Sequence, residues 1–100
     1  MRALARADIV AAVDWYRVQA GPATAEAFAS EVEDATARIA RVPGMGSLRW
    51  SDMLDLPGLR CVSLRRFPYL VFHVERGDHI EIWRVLHSAR DIPVPLREPG

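Results

Sequence analysis

The sequence predicts an α+β domain in which an antiparallel two-helix hairpin packs on a three- to four-stranded antiparallel sheet. Three observations predict it. Apolar residues recur at helical spacing up to Val42 and at every second position from Arg60 onward. Gly-Pro, Pro-Gly and Gly-Asp pairs punctuate the segments. The chain has 100 residues, the length of one domain, so residues 1–100 are read as a single unit.

The first helix is expected from Ala3 to Gln19, with Leu4, Ile9, Val13 and Tyr16 on its apolar side. Gly21-Pro22 breaks it. The second starts near Ala23 or Thr24 and carries a cleaner stripe of Phe28, Val32, Ala35, Ile39 and Val42. Glu26, Glu31, Glu33, Asp34 and Arg38 cover its other side, and Pro43-Gly44 ends it. A short connection between two such helices makes an antiparallel hairpin. Residues 43–58 hold three Gly and two Pro and read as a long loop, with one extended piece at Leu48 to Trp50.

Strands follow at Arg60 to Arg66, Tyr69 to Arg76 and His79 to Leu86, joined at Phe67-Pro68 and Gly77-Asp78. Alternation puts Val62 and Leu64 on one face, and likewise Leu70, Phe72 and Val74. It groups Ile80, Ile82, Arg84 and Leu86 together, and sets Arg65 outward with Val71 and Trp83. The tail from Ser88 reads as loop with one turn near Arg90. Packing both helix stripes on one sheet face gives a two-layer domain.

Composition limits the chemistry. The 13 acidic residues balance 13 basic ones, so no strong field draws DNA or a membrane surface. All of the basic residues are arginine, which a GC-rich coding bias explains most simply. Any anion site must therefore use forked guanidinium contacts, and no lysine base, Schiff base or P-loop lysine exists. Cys61 is alone, which fits a reducing cytoplasm and excludes an internal disulfide. One Cys and three scattered His give no expectation of a zinc site, and no cofactor is expected. Asp8 and Asp14 interrupt the one N-terminal apolar stretch, so it is not read as a signal peptide, and no stretch is long enough to span a bilayer.

The run Leu64-Arg65-Arg66-Phe67-Pro68-Tyr69-Leu70-Val71-Phe72, followed by Ile80-Glu81-Ile82-Trp83-Arg84-Val85-Leu86-His87-Ser88-Ala89-Arg90-Asp91-Ile92-Pro93, resembles the closing strands of toxins of the RelE/ParE superfamily, ParE-like members above all. Ala7-Asp8-Ile9, Asp14-Trp15-Tyr16, Pro43 and Leu56-Pro57-Gly58-Leu59-Arg60 fit as well. The resemblance implies the toxin of a type II toxin–antitoxin module of the plasmid-stabilisation kind, held inactive by a cognate, ParD-like antitoxin. ParE-like members poison DNA gyrase, whereas RelE-like members cut messenger RNA on the ribosome. In one respect the chain departs from the family, whose members usually open with a β-strand. Here helical spacing begins almost at Met1, so either that strand is missing or the start lies upstream. Its loss would expose a sheet edge and weaken the core.

Several residues are candidates for the site. Arg84 is expensive to bury unpaired, so it is either wet, paired with a carboxylate, or presented from a cleft to a partner. His87 is either bonded to backbone or a proton carrier, with Arg84 and Arg90 stabilising a phosphorane. Asp91 could neutralise Arg90 or cap a turn. Arg60, Arg65, Arg66 and Trp83 are either isolated surface residues or parts of an interface, where Arg and Trp dominate binding energy. For target binding the candidates are Arg65, Arg66, Trp83, Arg84, His87 and Arg90. For antitoxin binding they are Trp15, Tyr16, Arg60 and Arg65, although Trp15 and Tyr16 also suit hairpin packing. By resemblance, cleaving members need lysines near Cys61 and Ser63 and an arginine at Tyr69, and of their apparatus only Arg90 corresponds. The expectation is a protein that acts by binding, without stable binding to free nucleic acid; the alternatives are a ribosome-dependent messenger-RNA endoribonuclease using His87 with Arg84 and Arg90, or an inactive relative.

Overall fold

The computed structural model describes residues 1–91 of the chain. Helix α1 spans Ala3–Ala20 and α2 Pro22–Arg41; a short α3 spans Arg49–Leu54. Strands β1 (Arg60–Ser63), β2 (Tyr69–Arg76) and β3 (His79–His87) form one antiparallel sheet in the order β1-β2-β3. Among the described residues no helix is long and apolar enough to cross a membrane.

The helical hairpin turns on one residue. Gly21 adopts φ 94°, its N–H closing α1 onto the Arg17 carbonyl, and Pro22 opens α2 with its φ already helical. One face of the sheet packs on both helices. There Ala5, Ala12, Phe28, Val32, Ala35 and Ile39 meet Val62, Leu64, Val71, Ile82 and Val85. Tyr16, Phe28, Phe67 and Tyr69 knit the hairpin to the β1–β2 loop, with ring centroids 5.0–6.2 Å apart. Two expected stripe members are not in this core. Leu4 is 41% exposed, its place taken by Ala5, and Val42 is 57% exposed because α2 ends one residue before it.

The opposite sheet face is covered too, which corrects the two-layer expectation. Cys61, Phe72, Val74 and Leu86 form a second cluster with Leu59, under Trp50, Leu54 and Leu56. The lid is α3, where an extended piece was expected. Ser47 bridges Cys61 in the backbone, and its Oγ then accepts the Arg49 N–H at 3.0 Å, starting a helical turn. Asp55 in the left-handed region at φ 52° stops it. Local side-chain bonds, not an apolar period, make this element.

β3 also departs from strict alternation. Phe72 pairs with Arg84 and His73 with Ile82, so Trp83 is an extra residue at a β-bulge. Ile82 and Val85 therefore share the helix side, and Leu86 lies on the other. The expected common face of Ile82, Arg84 and Leu86 does not form. Val71, expected outside, is fully buried against the helices, and β1 ends before Arg65.

As an edge strand, β3 is blunted rather than bare. Its Ile82 carbonyl accepts the Arg2 N–H at 3.0 Å. Asp8 accepts the Val85 N–H at 3.0 Å, and Asp91 the His87 N–H at 3.0 Å. A carboxylate accepts without donating, so this stretch of edge cannot template another strand.

Candidate partner-binding site

The sequence candidates divide according to what the fold lets each one touch. Arg84 sits at the bulge, where its Nε and Nη2 donate to the two Asp8 oxygens at 2.8 and 2.9 Å. Both side chains are largely buried, at 17% and 14% exposure. The same carboxylate takes the Val85 N–H, so α1 is pinned to β3 by three hydrogen bonds on one acid. Of the readings open for Arg84, the carboxylate pair is the one realised.

His87 ends β3. Its Nδ1 accepts the N–H groups of Ala89 and Arg90 at 3.1 and 3.3 Å, which leaves any ring proton on Nε2. Asp91 closes the same turn by bonding to His87 N, and it forms no ion pair with Arg90. The imidazole is thus a turn cap stacked edge-on against Tyr69 at 5.3 Å.

Arg90 is turned the other way. Its Nη2 donates to the Tyr69 hydroxyl at 3.2 Å, and its guanidinium carbon lies 5.9 Å from the centre of the Trp15 ring. Burial pushes the Tyr69 phenol up, against the pull of Arg90. Burial also raises Tyr16, helped by Tyr69 and again opposed by Arg90. Both phenols therefore stay protonated and neutral near pH 7. Asp8, Ala11, Trp15, Tyr69, Arg90 and Asp91 line a cleft of about 260 Å³ between α1 and the end of β3.

That cleft borders a surface that reading the helix for a single core stripe misses. Leu4, Ala7, Ala11, Trp15 and Val18 are all exposed and fall on one line along α1. Trp15 is 47% exposed and Val18 79%. The signal was present, because the apolar residues of α1 run round more than one side, unlike those of α2. Tyr16, by contrast, is half-buried among Phe28, Phe67 and Tyr69.

The remaining candidates lie elsewhere. Arg66, in the loop after β1, bonds Glu31 of α2 through both Nε and its backbone N–H at 3.2 Å. Glu31, expected on the solvated side of α2, is only 11% exposed as a result. Arg65 beside it is exposed. Arg60 donates to the Gly46 carbonyl at 3.3 Å. Trp83 is half-buried over the second cluster, its Nε1 bonded to Glu81 and the Arg2 guanidinium 4.5 Å from its ring centre. No group of three or more His, Cys, Asp or Glu among the described residues could hold a metal.

Comparison with known proteins accords with this architecture. The family described as "ParE toxin of type II toxin-antitoxin system, parDE" matches residues 1–92. No curated protein sequence matches the chain. Among solved structures, a chain of the chromosomal ParDE TA system from P. aeruginosa is similar at a TM-score of 0.72 and 25% identity. The match covers 86% of this chain and 89% of that one. This chain belongs to the ParE toxin family of type II toxin–antitoxin systems.

Proposed function

We propose that the chain arrests growth by binding, with DNA gyrase as its target in the cytoplasm, and that a cognate antitoxin neutralises it by laying an amphipathic segment along α1. The observation that carries the antitoxin half is the exposed line Leu4, Ala7, Ala11, Trp15 and Val18 beside the Arg90 cleft. Its alanines let another backbone approach closely, and Trp15 next to a cation is a natural anchor. Gyrase as the target rests on the family resemblance.

Binding rather than catalysis is favoured by how the candidate groups are used. A phosphorane needs free guanidiniums and a proton carrier around one point. Here Arg84 is held by Asp8 and the His87 Nδ1 by backbone. Of the positions where cleaving relatives carry basic residues by resemblance, Cys61 and Tyr69 are buried, and the exposed Ser63 supplies no charge.

Purified chain should inhibit gyrase supercoiling and leave ribosome-bound message intact. Unaffected supercoiling at micromolar chain, or cleaved transcripts on induction, would overturn the reading. Antitoxin docking is tested on the co-expressed pair. Trp15→Glu should weaken the complex by at least ~30-fold, the loss of one interface anchor. Unchanged affinity would remove α1 from the interface.

A further inference from the structure

A second surface, whose main groove shares no residue with the α1 cleft, is built from arginine. Between the later turns of α2 and the loop joining β1 to β2 runs a groove of about 570 Å³ lined chiefly by Glu31, Asp34, Arg38, Arg41, Arg65 and Arg66. Four guanidiniums face two carboxylates. Arg66 is engaged by Glu31, which leaves Asp34 against three arginines. Arg38, Arg41 and Arg65 make no side-chain hydrogen bond or ion pair among the described residues.

Arg38 and Arg41 are one turn apart at the end of α2, where cations offset the negative pole of the helix. That accounts for two of the three. It does not account for Arg65, which a different element brings to the same groove, nor for the ion pair that fixes the neighbouring Arg66 and so holds the loop in place. The groove continues into a depression of about 410 Å³ along Ser63 to Leu70, with Arg65 and Arg66 common to both. Its length suits a chain segment better than a small anion.

We propose that this groove receives an acidic stretch of the neutralising partner, whose carboxylates engage Arg38, Arg41 and Arg65. The proposal rests on the reading that an antitoxin covers this chain, and adds to it a second, electrostatic foothold. Arginine forks match carboxylates two bonds at a time. Two linked contacts on separate surfaces raise overall affinity well beyond either alone. A nucleic-acid strand fits less well. No aromatic ring lines the α2 part of the groove for base stacking, and the chain carries no net positive charge.

The test uses the purified chain and fluorescein-labelled octaglutamate, followed by anisotropy at low salt, with labelled octathymidylate as the competing polyanion. Octaglutamate should bind in a salt-sensitive way. The triple variant Arg38→Ala/Arg41→Ala/Arg65→Ala should bind it at least ~10-fold more weakly. Arg17→Ala and Arg76→Ala, whose arginines pair with Asp14 and Glu81, should bind it as the unmodified chain does. Absence of octaglutamate binding, equal binding by the triple variant, or tighter binding of octathymidylate through the same arginines would each overturn the proposal. Trp15→Glu should leave octaglutamate binding intact, so failure of the α1 interface and failure of the groove are read separately.

Discussion

Removing the Asp8 carboxylate should be the most damaging single change outside the apolar core. In Asp8→Ala, Arg84 loses both charge-assisted bonds at 2.8 and 2.9 Å, and Val85 N–H loses its acceptor. Breaking one side of a buried ion pair costs about 3–5 kcal/mol, because the remaining charge is left uncompensated. The pair is about one-sixth exposed, so the low end, ~3 kcal/mol, applies. For a domain of this size that lowers Tm by roughly 12–24 °C. The assay is urea unfolding followed by tryptophan fluorescence, for Asp8→Ala, Arg84→Met and the double variant. Replacing both partners removes the buried charge altogether. The double variant should therefore lose only ~1 kcal/mol, chiefly for the orphaned Val85 N–H, far less than the sum of the single losses. A loss below ~1 kcal/mol for Asp8→Ala, or simple additivity, would refute the view that this pair fastens α1 to the sheet.

Other consequences can be checked in the same way. His73 is fully buried and, among the described residues, neither ring nitrogen has a hydrogen-bond partner. Burial, seconded by Arg60, lowers its pKa below the usual 6.5; the nearby Met45 backbone opposes this without closing a hydrogen bond. Below pH 6.5 the unfolded chain binds a proton that the folded chain refuses, so stability is full above that pH and falls as pH drops toward the folded pKa. His73→Phe should flatten that part of the stability–pH curve, and an unchanged slope between the two variants would count against the assignment. Gly46 sits at φ +97°, where an added Cβ would lie 2.7 Å from the Cys61 carbonyl oxygen. Gly46→Ala should therefore cost ~2–3 kcal/mol by urea midpoint, and a neutral effect would mean the Ser47–Cys61 bridge is dispensable. Burial raises the Cys61 thiol, with Arg49 pulling it down more weakly. Its reaction with a disulfide reagent should wait on unfolding; rapid modification of the native chain would show that the α3 lid opens freely.

The elements visible in the sequence were those written in repeated spacing. Gly21-Pro22 and Gly77-Asp78 mark real turns, and the Phe28-to-Ile39 stripe is the buried side of α2. What escaped depends on events that periodicity does not record. One inserted residue at Trp83 exchanges the faces of everything after it, so no reading by alternation could place Arg84 and Leu86 correctly. Helix α3 rests on the Ser47 side chain and the left-handed Asp55, both local and polar. The Asp8–Arg84 pair joins residues 76 positions apart, so no local spacing links the carboxylate to its arginine. The sequence offers 13 basic residues of one kind, and only the fold separates Arg84 and Arg66, which pair with carboxylates of the helices, from Arg38, Arg41 and Arg65, which form no ion pair among the described residues.

That separation bears on how the chain should behave with and without its partner. An apolar line on α1 does not contribute to this core, and three of the groove's four arginines, Arg38, Arg41 and Arg65, form no ion pair among the described residues. Such features persist in a small domain, whose own core supplies only modest stability, when another molecule completes them. If the antitoxin binds only the folded chain, it should stabilise it by mass action, by about 2.7 kcal/mol at a free concentration one hundred times Kd. The unmodified chain should then melt at a rising Tm as antitoxin is added. Trp15→Glu and the triple arginine variant should each need more antitoxin for the same rise, although their own Tm values differ little from the parent. A parent chain whose Tm ignores antitoxin, or surface variants that unfold on their own, would show that these residues serve the fold itself and not a partner.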